Sequence, residues 1–284
     1  MTSPLRDLRA RRFWRTFLTY SLACAGAIAT LAQGIDVFAP GAITDGDFPV
    51  VQGAVVGSLL FGINRAWPRA VIQFYTVGNT AIQIVEGDLF DQSTNLVIGM
   101  TTTFDTEGPH IISDSSVQAQ FLARVYSGDL AALDSALSEA LREVDPVGQR
   151  AKPGKQIVYP IGTVASIRLQ RRHFYCVALA EMDNFNSAHA TVAGLWNSLD
   201  SLWDVVRRTS NGDPVAIPVL GGGQSKLSQV LPARDAIRLI ALSFTLASRA
   251  ARVCQRLDIV VRKQDVQNLD ILELRTFLHS LRAS

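Results

Sequence analysis

Cysteine is scarce in this chain. Cys24, Cys176 and Cys254 are the only three, an odd number, and no two form a Cys-x-x-Cys pair. That argues against a disulfide framework and against a zinc cluster, in keeping with a reducing compartment. Histidine is nearly as rare. His110, His173, His189 and His279 have no metal-ligand spacing, so no metal site is expected. The Gln224-Ser225 pair lacks the Gly-x-Ser-x-Gly frame of a nucleophile elbow, and no catalytic residue is assigned. The net charge of +2 lacks the basic excess of a nucleic-acid binder. There are no evident repeats and no long low-complexity segments.

Charge is missing altogether from residues 16–35 and from residues 48–64. An uncharged run near twenty residues can cross a hydrocarbon core of ~30 Å. Arg6, Arg9, Arg11, Arg12 and Arg15 precede the first run, and Arg65 and Arg69 follow the second. The connection between them holds Asp36, Asp45 and Asp47 and no basic residue. Basic flanks stay on the cytoplasmic side, which predicts a hairpin of two spans with both termini inside. A cleaved signal peptide is the competing reading, but its apolar core is normally 7–15 residues and no second run follows it. Gly53 and Gly57 form a Gly-x-x-x-Gly, and Ala23 and Ala27 share that spacing. Small residues so placed let helices approach closely in lipid, and a homo-oligomer is expected.

Residues 1–69 are therefore assigned to a transmembrane hairpin in an inner membrane and residues 70–284 to one soluble domain. That length supports a substantial core. Residues 70–77 and 80–85 are strand-like around Gly78-Asn79, a hairpin signal. Further strands are expected at 95–100, 156–159, 163–169, 173–180, 214–220 and 258–262. Helices are expected at 116–126, 130–144, 233–257 and 271–281. The clearest is built on Val192, Leu195, Trp196, Leu199, Leu202, Trp203 and Val206, one face at three-and-four spacing. Alternating strands and helices predict an α/β fold, a mixed sheet sandwiched by helices.

Two places carry chemistry. Gly87-Asp88-Leu89-Phe90 follows a strand, and after the next strand comes Thr101-Thr102-Thr103-Phe104-Asp105-Thr106. The second is Leu220-Gly221-Gly222-Gly223-Gln224-Ser225, also after a strand. Glycines there let backbone amides approach a phosphate. Taken alone, Gly-Gly-Gly is more often an ordinary turn, and Asp88 equally a turn or cap carboxylate.

The order of these pieces resembles the macro domain, a fold that binds ADP-ribose and its relatives, over roughly residues 81–262. The resemblance implies that Asp88 meets the adenine amine, with Leu89 beside it. It implies that Met100, Thr101, Thr102, Phe104, Asp105 and Thr106 form one clasp, and Leu220, Gly221, Gly222, Gly223, Gln224 and Ser225 another, around pyrophosphate and distal ribose. His110 and Asp105 are candidates for the distal part, while Asp183 and Asn184, after a strand, either face the ligand or, the safer reading, are ordinary loop residues. Gly87-Asp88-Leu89-Phe90, Ile98-Gly99-Met100, Phe104-Asp105-Thr106 and Ser116-Val117-Gln118-Ala119-Gln120-Phe121 look like the macro domain of Thoeris antiphage effectors. In that family a TIR-domain partner makes an ADP-ribose-derived signal. Two-helix members respond by disrupting the membrane, leading to abortive infection. The resemblance implies histidine-linked ADP-ribose as ligand and no other cofactor. Hydrolytic macro domains carry asparagines and a glycine run where this chain has Ile98-Gly99-Met100-Thr101-Thr102-Thr103. A non-enzymatic effector is expected. The alternatives are a membrane-tethered ADP-ribosylhydrolase or a tethered reader of ADP-ribosylated partners.

Overall fold

The computed structural model describes residues 11–38, 48–66, 71–220, 231–266 and 269–282. The chain divides into two compact units, Met1–Arg69 and Ala70–Ser284.

The first unit is a pair of helices, α1 (Arg11–Phe38) and α2 (Phe48–Ala66). Thr19, Thr30 and Ser58 donate their hydroxyls to carbonyls four residues earlier, at 2.9, 2.9 and 2.8 Å. Polar groups satisfied inside the helix suit a solvent without hydrogen bonds. Leu22, Leu31 and Leu60 are exposed, so the apolar surface is not hidden in a protein core. The helices meet closely at Gly62, where a Cβ would lie 1.9 Å from Ser21 Oγ and 2.9 Å from the Phe17 carbonyl oxygen. Gly53 and Gly57 have nothing within 4 Å of an added Cβ, so their face is open.

The two-span expectation holds in part. Phe17–Ile35 of α1 is long and apolar enough to cross a membrane. The apolar stretch of α2 is only Val51–Asn64. Fourteen residues of helix rise about 21 Å, short of a ~30 Å core. Of the connection expected from about Asp36 to Asp47, Asp36 falls within α1, while residues 39–47 and the basic segment before Arg11 lie outside the described residues.

The second unit is built on one eight-stranded sheet. Its strands are β1 (Val71–Tyr75), β2 (Thr80–Glu86), β3 (Asn95–Thr101), β6 (Val164–Leu169), β7 (Arg172–Met182), β8 (Ala188–His189), β9 (Val215–Pro218) and β10 (Arg256–Val261). The order is β1-β2-β10-β9-β3-β7-β6, with β8 beside β7. β2, β10, β9, β3 and β7 run parallel, while β1, β6 and β8 are antiparallel additions. A two-stranded ribbon, β4 (Gly148–Gln149) with β5 (Ile157–Val158), stands apart. The strand expected at 156–159 is thus shorter and outside the main sheet. Tyr159 N–H instead bonds the Thr102 carbonyl at 2.9 Å.

Helices cover both faces, because the central strands bury alternate side chains on opposite sides. Phe174, Cys176 and Ala178 of β7 face a core shared with Phe121 of α3 (Val117–Val125) and Leu133 and Leu137 of α4 (Leu130–Ala140). Tyr175 and Val177 face the other core. There they meet Leu199 and Trp203 of α5 (Val192–Thr209), Ile240 and Phe244 of α6 (Ala233–Ala250), and Leu274 of α8 (Ile271–Ser280). A short helix, α7 (Lys263–Val266), precedes α8. Ser116, Asp129, Thr191 and Asp270 cap their helices through side-chain oxygens, as their residue types favour.

Helix α6 stops at Ala250, short of the expected 257. Ala251 is extended, and Arg207 donates to the Ala247 carbonyl at 3.1 Å and the Ala251 carbonyl at 3.2 Å. Val253, Cys254 and Leu257 then enter the core next to β2 and β9. Tertiary pairing overrides a helical pattern that continued in sequence. Helix α4 likewise ends at Ala140, with Leu141 as its cap residue.

Candidate ligand site at the carboxyl edge

All five parallel strands release the chain at one edge. Gly87-Asp88 follows β2, residues 102–106 follow β3, 183–187 follow β7, and Val219-Leu220 follow β9. β3 and β9 are neighbours, yet the chain leaves β3 toward β7 and leaves β9 toward β10. Open α/β sheets bind ligands where adjacent connections diverge in this way.

The loop after β3 is tightly built. A bulge lies between Met100 and Thr101. Thr102 N–H bonds the Ala180 carbonyl at 2.8 Å, and Phe104 N–H bonds the Thr101 carbonyl at 3.0 Å. Phe104 sits at φ 50, in the left-handed region that a bulky side chain rarely adopts. Its ring is buried edge-on to Tyr159, centroids 5.7 Å apart. Thr101 and Thr103 share a hydroxyl contact of 3.2 Å, and Thr103 donates to the Asp105 carboxylate. Asp105 receives Lys152 Nζ at 3.0 and 2.9 Å and Lys155 N–H at 2.8 Å. The Gln118 amide donates to the Asp105 carbonyl. Thr106 donates to Asp134 at 2.5 Å, and Lys155 Nζ pairs with the same carboxylate at 2.6 Å. The Thr102 hydroxyl is buried with no hydrogen-bond partner among the described residues.

Asp88 is half-exposed and caps a 3-10 turn at Leu89–Asp91. One oxygen accepts Phe90 N–H at 2.8 Å, and the other pairs with Arg124 at 2.8 Å. Arg124 also grips Asp91 at 2.8 Å and lies over the Phe90 ring. On the third loop, Asp183 accepts Phe185 and Ser187 N–H, each at 2.8 Å, and pairs with His189 at 3.0 Å. Ser187 first, then His189, hold this carboxyl below its usual range. Phe185, at the tip, is 89% exposed. Cys176 and Cys254 are buried in the core, and burial pushes the Cys254 thiol up to about 12 and raises that of Cys176.

Leu89 and Met100 are core side chains on the α3–α4 face, and Leu220 is one on the opposite face. Thr101, Thr102, Phe104, Asp105 and Thr106 are gathered in one buried loop beside them. His110 is exposed. Gly221, Gly222, Gly223, Gln224 and Ser225 lie outside the described residues. Arg124 and Lys152, which hold Asp88 and Asp105, were not among the expected residues. They stand 36 and 47 positions from their partners, so no local pattern marks them.

The family model for the Thoeris protein ThsA macro domain matches residues 82–262, well over half of the chain. The chain belongs to that family. Thoeris protein ThsA of Bacillus amyloliquefaciens (strain Y2) is 22% identical over 208 residues, 71% of this chain and 69% of that protein. A macrodomain of Oceanobacillus iheyensis with MES bound has TM-score 0.51 at 13% identity, covering 75% of this chain and 99% of its own. A variant of the same macrodomain gives 0.50 at 13% identity, covering 74% and 98%. At this identity the two structures establish the fold. In this ThsA macro domain Asp88, the 101–106 loop and Leu220 all follow parallel strands at the same edge of the sheet. Among the described residues no three His, Cys, Asp or Glu side chains are grouped to hold a metal.

Proposed function

We propose that this protein is a membrane effector of antiphage defence, gated by an ADP-ribose-derived nucleotide that its macro domain binds without consuming. The carrying observation is the pairing of a ThsA macro domain with an N-terminal apolar helix long enough to span a bilayer. Histidine-linked ADP-ribose, supplied by a TIR-domain protein, is the ligand favoured by the sequence resemblance. Asp88 meets the adenine end, and the segments 101–106 and 220–225 meet the pyrophosphate and distal part. Glycine amides at 221–223 suit a phosphate.

Binding without turnover is supported by how the carboxylates are held. Asp105 is neutralised by Lys152 and Asp88 by Arg124. A general base needs a lone pair within reach of a water, and both groups are already engaged. Membrane action follows from assembly. One pair of helices encloses no water path, so several copies must gather, and the open Gly53/Gly57 face offers a contact for that.

Calorimetry of the full chain in detergent against ADP-ribose and its histidine conjugate tests the binding. Saturable heat is expected, with ligand recovered intact by chromatography after long incubation. Steady conversion abolished by a substitution in the 101–106 loop would instead establish a hydrolase.

A further inference from the structure

We propose that the groove between β1 and α8 is a second binding site, for the anionic headgroups of a lipid surface. It is a cavity of about 470 Å³ whose lining shares no residue with the carboxyl-edge loops. One wall is helical. Arg275, His279 and Arg282 stand four and then three residues apart and share one exposed face. The other wall is the edge strand β1, whose exposed Ile72 and Phe74 are two apart and point the same way.

The charge is one-sided. Among the described residues no carboxylate lines the groove. Glu273 of α8 is engaged by Arg234 and Arg238 instead. Among the described residues neither Arg275 nor Arg282 forms an ion pair with a carboxylate. The Arg275 guanidinium, and beside it Arg282, whose Nε is held by the Phe74 carbonyl, stand next to an exposed aromatic and an aliphatic side chain and suit a phosphate-bearing interface. The cations meet phosphate oxygens, and the apolar groups enter the headgroup boundary.

The alternative occupant of an edge strand is another strand, and β1 is guarded against it. The Phe74 carbonyl already accepts Arg282 Nε at 2.9 Å and the Gln73 side-chain amide at 3.0 Å. A capped edge carbonyl blocks strand addition. Val71, which opens β1, is five positions along the chain from Ala66, which ends α2. The inference rests on the membrane reading above and adds a dependence on lipid charge.

The test is hydrogen exchange of the full chain in nanodiscs of phosphatidylcholine, with and without phosphatidylglycerol. Amides of α8 and β1 are expected to exchange more slowly in anionic discs, and high salt should remove the difference. Arg275→Gln should cut the protection about fivefold. It leaves the Arg282–Phe74 bond alone, so it also controls for folding. Protection of α1 reports insertion independently. Slow α1 exchange with α8 indifferent to lipid charge would overturn the lipid site alone. Fast α1 exchange in both discs would overturn the membrane reading and this site with it.

Discussion

Lys152 and Asp105 form an ion pair closed to solvent, with side-chain exposures of 0% and 1%. The pair joins the loop after β3 to the segment leading into β5. It closes at Gly154, whose φ of +82 admits no ordinary side chain and where a Cβ would meet Asp105 Oδ1 at 2.6 Å. These contacts hold the candidate ligand loop against the 152–155 segment.

Lys152→Met leaves the Asp105 carboxylate buried without its cation. Loss of one member of such a pair costs about 3–5 kcal/mol. Urea unfolding followed by tryptophan fluorescence should show that loss, and a change below about 1 kcal/mol would contradict a buried pair.

Asp88 and Arg124 make the opposite case, because the pair is largely exposed. Arg124→Ala should lower stability by less than about 1 kcal/mol. Asp88→Ala should lower affinity for the nucleotide by about 1.5–3 kcal/mol. Equal affinity in parent and Asp88→Ala would place the adenine end elsewhere.

The two glycine positions of the first unit should part company. Gly62→Leu drives a side chain into Ser21 and the Phe17 carbonyl and should separate α1 from α2. Gly57→Leu meets open space and should spare that contact while weakening assembly between copies. Cross-linking within and between chains distinguishes the two. Identical behaviour of both variants would argue against the open face as a contact.

His173 gives a pH dependence. Burial lowers its pKa, and Arg168 lowers it further. The unfolded chain then binds a proton that the folded chain resists. Stability is therefore full above the ordinary histidine range and declines as pH falls from about 6.5 toward the lowered value. His173→Gln should flatten the fall of the urea midpoint in that window. An unchanged slope would assign the dependence to another group.

Much of the fold was legible because its signals are local. The apolar face of α5, the Gly78-Asn79 turn between β1 and β2, and the uncharged run in α1 each announce themselves within one window. What was hidden depends on distant partners. The end of α6 is set by Arg207, and the positions of Asp88 and Asp105 by Arg124 and Lys152. The close packing of α1 on α2 falls at Gly62, a position the spacing did not mark, and it leaves open the Gly53/Gly57 face expected to meet other copies. Spacing marks a face that lets helices approach but does not say which neighbour takes it.

The central claim is gating, and release of a trapped dye from liposomes carrying the full chain tests it most directly. Ligand shifts an assembly only through a preference for the assembled state, and a swing from 1:99 to 99:1 needs about 5.5 kcal/mol. Several macro domains acting together would supply that from modest single-site preferences. Leakage is predicted with histidine-linked ADP-ribose present, with none in its absence and none for Gly222→Val. Leakage that ignores the nucleotide, or that persists after removal of residues 1–65, would contradict a gated effector and leave only a tethered binding domain.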